Sequence, residues 1–274
     1  MKFLLTYKLF GRSAILVEWP ANISQDIIQD IISFERQVKE IDSILDTIIA
    51  YNSLLIRYQN PIVDQELTIR QLKNKYTASS YVIKQDQFLW EIPVCYDASF
   101  GIDLEEIANK KKCSVTDIIR LHTETDYIVY FIGFQPGFLY LGGLHQNLHI
   151  PRKSNPRVRV DKGSVGIGGA QTGVYPQNSS GGWNIIGKSP LNFFNMKATN
   201  PCFAKSGDRI QFVAVDIHTF YQIEREVIKQ EFIIKISSLF FEDLDKRFLT
   251  EIKSKINKIT KTNEKISFLL NKRL

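Results

Sequence analysis

Cysteine is scarce in this chain, and its distribution rules out several chemistries. Cys95, Cys113 and Cys202 are odd in number and widely spaced, with no C-x-x-C pair to suggest a zinc site or a redox dithiol. Such usage fits a reducing cytoplasm. Long apolar runs are missing too: no segment offers the roughly 20 apolar residues that a membrane span requires. At the amino terminus only Phe3, Leu4 and Leu5 precede Thr6 and Lys8, too few for the apolar stretch of a secretory signal. The expectation is a soluble, cytoplasmic protein. Gly-x-Ser-x-Gly occurs nowhere, so no serine nucleophile elbow exists, and Ser164 in Gly163-Ser164-Val165-Gly166 lacks the spacing. No catalytic residue can be named on this basis.

Histidine offers little more. His145 and His149 have the spacing of a helical metal pair, but Gln146 stands where a metalloprotease needs glutamate, and Gly142, Gly143 and Pro151 put them in a loop. No metal is expected. The formal charge of +6 is confined to one end: residues 246–274 carry nine Lys or Arg against Glu251 and Glu264, which leaves residues 1–245 at about −1. The body has no basic face for a phosphate backbone, so nucleic acid is not an expected partner.

What the sequence does have is glycine, concentrated in one place. Residues 127–190 hold twelve of the 15 glycines and five of the nine prolines, in the strings GFQPGFLYLGG, GSVGIGGAQTGVYP and GGWNIIGKSP. Glycine serves where a backbone takes positive φ or approaches another group closely, so this crowding predicts many tight turns on a compact surface. Gly182 to Ser189 satisfies the Walker A expression letter by letter. Its context does not fit: no buried strand precedes it, Pro190 biases Ser189 away from helix, and Trp183-Asn184-Ile185-Ile186 reads as strand.

Along the chain, Phe3–Tyr7 and Ala14–Trp19 read as strands around a turn at Gly11 and Arg12. A helix capped by Ser24 follows, with Ile27, Ile28, Ile31, Ile32, Val38 and Ile41 along one face. Ile44–Tyr58 reads as one or two strands, Val63–Tyr76 as a second helix and Phe88–Tyr96 as a further strand. This alternation suggests a ferredoxin-like α/β sandwich. Asp103-x-x-Glu106 and Ser114-x-x-Asp117 have the form of capping boxes opening short helices at 104–111 and 115–122. Beyond His122, short β-rich segments at Tyr127–Phe134, Arg157–Val160, Ser164–Gly168, Asn184–Ile186 and Arg209–Val215 alternate with Gly/Pro turns, as in an all-β barrel. The expected fold class is therefore α+β, with an α/β domain at 1–90, a β-barrel domain at 91–224 and a basic, helical extension at 225–274. In that extension Phe248, Ile252, Ile256, Ile259, Ile266 and Leu270 recur at mostly helical spacing.

The polar equipment of the glycine-rich region is Arg152, Arg157 and Arg159, then Gln171, Thr172, Tyr175 and Trp183. Arginine forks match carboxylates and phosphates, and Gln and Tyr can read an amide. The competing reading has Arg157 and Arg159 exposed on a strand face and Trp183 in the core. His122, at the junction of helix and barrel, suits either a site residue or a helix C-cap.

These strings, with IPVCYDASFGIDLEEIA, the Leu121-His122-Thr123 triplet and, more loosely, GRSAILVEW and AYNSLLIRY, resemble the family of the 5-oxoprolinase B subunit, also called KipI or allophanate hydrolase subunit 1. The resemblance covers about residues 1–222. It implies an N-terminal α/β domain joined to a cyclophilin-like β-barrel, and work with the C and A subunits of 5-oxoprolinase to open 5-oxo-L-proline to glutamate using ATP. A lactam is a poor electrophile, which is why such a ring opening needs activation. The ATP site would not be formed by this chain alone. Motif matching carries substrate-binding importance onto His122, Arg157, Arg159, Gln171, Thr172, Tyr175 and Trp183. Two other roles attach to the family name: inhibition of a sensor histidine kinase, and an amidase partner for allophanate-type substrates. Leu139 and Ser180 depart from the family's usual prolines, and Lys188-Ser189 replaces a common Arg-Thr.

Overall fold

The computed structural model describes residues 3–78 and 87–238 and divides into two compact units, Met1–Gln85 and Asp86–Leu274. The helix expected between Phe248 and Leu270 lies outside the described residues.

In the first unit, β1 (Thr6–Leu9) and β2 (Ala14–Glu18) form a hairpin whose turn contains Gly11 at φ 67°. Strand β1 begins three residues later than the apolar run suggested, because its register is set by β2, with Thr6 opposite Glu18 and Leu9 opposite Ile15. Helix α1 (Gln25–Lys39) starts where Ser24 Oγ accepts from the Ile27 N–H at 3.2 Å, satisfying one of the free donors of the first turn. A second hairpin, β3 (Ile44–Ile49) and β4 (Ser53–Tyr58), and then α2 (Gln65–Ala78) complete the unit. The sheet order is β1-β2-β4-β3, all antiparallel. Ile15, Val17, Leu54 and Ile56 on one sheet face share a core with Ile27, Ile31, Phe34 and Val38 of α1 and Leu72 and Tyr76 of α2. The connectivity is ββαββα, whereas a ferredoxin-like unit runs βαββαβ; the strand that such a unit has last comes here first.

The second unit is a mixed α+β body built on a closed barrel. It runs β5 (Phe88–Cys95), α3 (Leu104–Lys111), α4 (Val115–Thr123), β6 (Asp126–Ile132) and β7 (Leu139–Gly142). Then come β8 (Arg157–Val160), β9 (Ser164–Gly168), β10 (Gln171–Val174), β11 (Ser179–Gly181), β12 (Asn184–Lys188), β13 (Arg209–Val215), α5 (Ile217–Ile228) and β14 (Ile236–Ser238). Seven strands in the order β12-β9-β10-β7-β6-β13-β5 close on themselves where Lys188 of β12 meets Cys95 of β5. Gly187 makes that seam possible, since a Cβ there would stand 2.8 Å from the Cys95 carbonyl oxygen. β14 extends β5 at its other end, and β8 with β11 forms a separate ribbon.

Side chains alternate along the barrel strands. Leu139, Leu141, Val165, Ile167, Val174, Ile210 and Phe212 fill the interior together with Ile107, Ala108 and Ile118 of α3 and α4. Phe138, Val160, Tyr175, Trp183 and Ile185, with Tyr140 beside them, form a second cluster on the opposite face of the barrel wall. That outer cluster is where the glycine-rich strings converge.

Candidate functional site

Strand β10 divides the residues that the motifs group together. Thr172 and Val174 point into the barrel, while Gln171, Gly173 and Tyr175 share the outer face with Trp183. The two sides have different chemistry.

On the inner side, His122 and Thr172 are both 0% exposed. Thr172 Oγ1 lies 3.2 Å from the Gly166 carbonyl oxygen, to which it donates, and 2.8 Å from His122 Nε2. A hydroxyl has one proton, so Nε2 carries the ring proton and donates to Thr172, and Nδ1 accepts from the Tyr96 hydroxyl at 2.7 Å. The imidazole also stacks on Phe212 at 4.6 Å and 16°. With both nitrogens hydrogen-bonded and the ring fully buried, desolvation of the charged form pushes the His122 pKa down to about 3. His122 is therefore neutral and holds α4 to the barrel wall; its ring does not serve as the helix C-cap, which is Glu124.

On the outer side, glycine makes room for an aromatic floor. Cβ atoms added at Gly166, Gly168 and Gly173 would lie 3.0–3.2 Å from atoms of Trp183, so the side-chain-free wall lets that indole lie flat on β9 and β10. Phe138 meets Trp183 edge-on at 5.4 Å and Tyr175 at 5.4 Å, and Tyr140 stacks on Phe131 at 4.3 Å. Trp183 is 5% exposed and Tyr175 2%, and the backbone N–H of Trp183 donates to the Tyr175 hydroxyl. Burial raises the pKa of Tyr140 and of Tyr175, and the positive charge of Arg152 opposes the rise in both. The rim of this floor is polar: the Arg152 guanidinium lies 5.5 Å from the Trp183 ring centre and its Nη2 is 3.5 Å from Gln171 Oε1.

Arg157 and Arg159, two residues apart on β8, are used differently. Arg157 Nη2 donates to Asp103 Oδ1 at 2.6 Å, and Lys153 Nζ approaches the same oxygen at 2.8 Å. Asp103 Oδ2 accepts from the Ile185 N–H at 2.7 Å. The carboxylate expected to cap α3 makes no capping bond and instead ties that helix to β12 and β8; at 2% exposure it needs these partners more than the helix start does. The other expected box, Ser114 with Asp117, is formed in full. Arg159 is 71% exposed and paired with Asp161 at 2.9 Å; it lines a separate cleft of about 380 Å³ with Lys162, Lys188 and Glu224. The structure thus brings Gln171, Tyr175 and Trp183 together, with Arg157 beside them as an ion-paired support. It puts His122 and Thr172 behind the wall and Arg159 elsewhere.

The Walker-like string is strand β12, not a loop entering a helix. Its amides are committed, the Ile185 N–H to Asp103 and the Ser189 N–H to the Gly163 carbonyl at 2.8 Å. These residues do not fit a triphosphate cradle. His145 and His149 flank a single 3-10 turn at Gln146–Leu148, where His145 Nδ1 accepts from the Asn147 N–H and His149 Nε2 bonds the Leu144 carbonyl. Asn184 stands inside the GGWNIIGKSP string with no role read for its side chain, yet its buried amide donates to the carbonyls of Pro151 and Ile167 at 3.0 and 3.2 Å and fixes the segment that presents Arg152.

Residues 5–204 match the family described as carboxyltransferase domain, subdomain C and D. The 5-oxoprolinase B subunit of Haemophilus influenzae is 37% identical over 198 residues, 72% of this chain and 91% of that protein. The protein of the same name from Bacillus subtilis is 32% identical over 228 residues, 79% of this chain and 95% of that one. Among solved structures, the urea amidolyase of Kluyveromyces lactis superposes with a TM-score of 0.73 over 94% of this chain and 17% of its own length, at 18% identity, a likeness of fold. Because the family model matches residues 5–204 and two curated relatives above 30% identity are matched over nine-tenths or more of their length, this chain belongs to the family of the 5-oxoprolinase B subunit.

Proposed function

We propose that this chain is the B subunit of an ATP-dependent 5-oxoprolinase, working with the A and C subunits to convert 5-oxo-L-proline to L-glutamate in the cytoplasm, and inactive alone. The observation that carries this reading is the near-complete match to 5-oxoprolinase B subunits at 32% and 37% identity. The outer face supports it chemically. A cyclic amide bearing a carboxylate calls for a cation, an amide-reading side chain and an apolar floor, and Arg152, Gln171 and Trp183 supply these in one place. We assign ATP to a site outside this chain's own outer face. We read the barrel as cyclophilin-like and the first unit as a permuted ferredoxin-like sandwich.

The test is ATP hydrolysis dependent on 5-oxo-L-proline, with the purified chain alone and then mixed with candidates for the A and C subunits. Turnover in the mixture and none with the chain alone is the expected result. Absence of turnover in every combination contradicts the assignment.

A further inference from the structure

Most cations around the outer face are already neutralised. Arg157 and Lys153 close on Asp103, and Lys153 also reaches Glu106 at 2.8 Å. Arg152 meets no carboxylate among the described residues; its hydrogen bond there is the long contact to Gln171. Although exposed, it is held in place. The backbone on either side is pinned: Ile150 bridges Gly169 through two hydrogen bonds, Pro151 O accepts from Asn184, and the Lys153 N–H donates to Gly182 O at 2.7 Å. The side chain is seated as well. Gly168 leaves the space that its Cγ occupies, since a Cβ there would come within 3.1 Å, and the guanidinium lies over the Trp183 ring. The guanidinium stands 5.5 Å from the ring centre in an exposed position, so its remaining N–H groups are open to a carboxylate, which an arginine fork can hold with two parallel hydrogen bonds.

We propose that Arg152 is the carboxylate-recognising residue of the outer face, and that Gln171 orients it. The ligand class is a small five-membered-ring acid, with the carboxylate on Arg152 and the ring against the rim of the Trp183 floor. This deepens the function proposed above and rests on it for the identity of the natural ligand, but the subsite itself rests on the geometry of Arg152.

The full chain is titrated with three probes in a Trp19→Phe, Trp90→Phe background, so that Trp183 fluorescence reports the site: 5-oxo-L-proline, cyclopentanecarboxylate (the acid without the lactam) and pyrrolidin-2-one (the lactam without the acid). The expected result is a saturable change with both acids, and binding of pyrrolidin-2-one at least about tenfold weaker, the loss expected when a charged hydrogen-bond pair is removed. Arg152→Gln should remove the preference for the acids, and Arg152→Lys should restore part of it. No saturable change with either acid, equal binding of all three probes, or Arg152→Gln binding the acids as wild type does overturns the subsite. Acids that bind through Arg152 in a chain whose mixtures never turn over 5-oxo-L-proline would uphold the subsite and refute the function; turnover with a KM unchanged in Arg152→Gln would do the reverse.

Discussion

Acidification should destabilise the second unit through His122, and the structure sets the size of the effect. The ring is fully buried, both nitrogens are hydrogen-bonded in the neutral form, and burial lowers its pKa from an ordinary 6.5 to about 3. Because the folded pKa is depressed, the unfolded chain takes up a proton first as pH falls. Stability is therefore full above about pH 6.5 and is lost as pH drops toward 3. Each pKa unit is worth about 1.4 kcal/mol, so moving from pH 8 to pH 5 should cost about 2 kcal/mol through this residue, and the full difference at still lower pH approaches about 5 kcal/mol. Buried Asp208 works in the opposite sense: burial raises its pKa, so its contribution grows on acidification, and a comparison with a variant cancels it. The assay is urea unfolding at pH 8 and pH 5, followed by fluorescence in a Trp19→Phe background so that Trp90 and Trp183 of the second unit report. His122→Gln should be less stable at pH 8 but lose about 2 kcal/mol less than wild type between the two pH values. Equal losses in the two proteins would refute the reasoning, as would a His122 ring signal titrating near its ordinary 6.5 in the NMR spectrum of the folded wild type.

Other substitutions probe the remaining supports. Arg157→Ala leaves Asp103 buried with Lys153 as its only side-chain cation and should destabilise by about 2 kcal/mol, short of the full loss for a broken buried pair; an unchanged urea midpoint would show that Lys153 suffices. Gly181→Ala drives a Cβ into the Tyr175 hydroxyl, so about 1–3 kcal/mol of overpacking strain should appear as a lowered melting temperature; a melting temperature equal to wild type would show that the Tyr175 ring can shift. Ser114→Ala removes a complete capping box at the start of α4 and should cost about 1 kcal/mol, with no change in turnover by the assembled complex.

The elements legible in the sequence are those that carry their own local signals. α1 begins at its serine cap, and β8, β9 and β13 occupy the segments their alternation marks, because β-branched runs bounded by Gly and Pro favour strand whatever surrounds them. β7, β10 and β11 have no such runs: Leu-Tyr-Leu-Gly, Gln-Thr-Gly-Val and Ser-Ser-Gly become strands through their neighbours. At the candidate site, the motifs identify a region but not which side of the wall each residue occupies. Gln171 and Thr172 are adjacent in sequence and lie on opposite sides of the wall because a strand turns alternate side chains to opposite faces. The fate of Asp103 was hidden for a related reason, since a capping pattern is local while its partners Ile185 and Arg157 lie 82 and 54 residues away.

One comparison on the assembled complex tests this division directly. Gln171→Ala and Thr172→Val change neighbouring residues, one on the outer face beside Arg152 and one on the inner side beneath His122. For each variant, the KM for 5-oxo-L-proline in ATP-coupled turnover and the melting temperature are measured. Gln171→Ala should raise the KM with the melting temperature unchanged. Thr172→Val, which strands the His122 Nε2–H, should cost about 1–3 kcal/mol and lower the melting temperature with the KM of the folded protein unchanged. A raised KM in Thr172→Val and an unaltered one in Gln171→Ala would place the substrate inside the barrel and contradict the outer-face site.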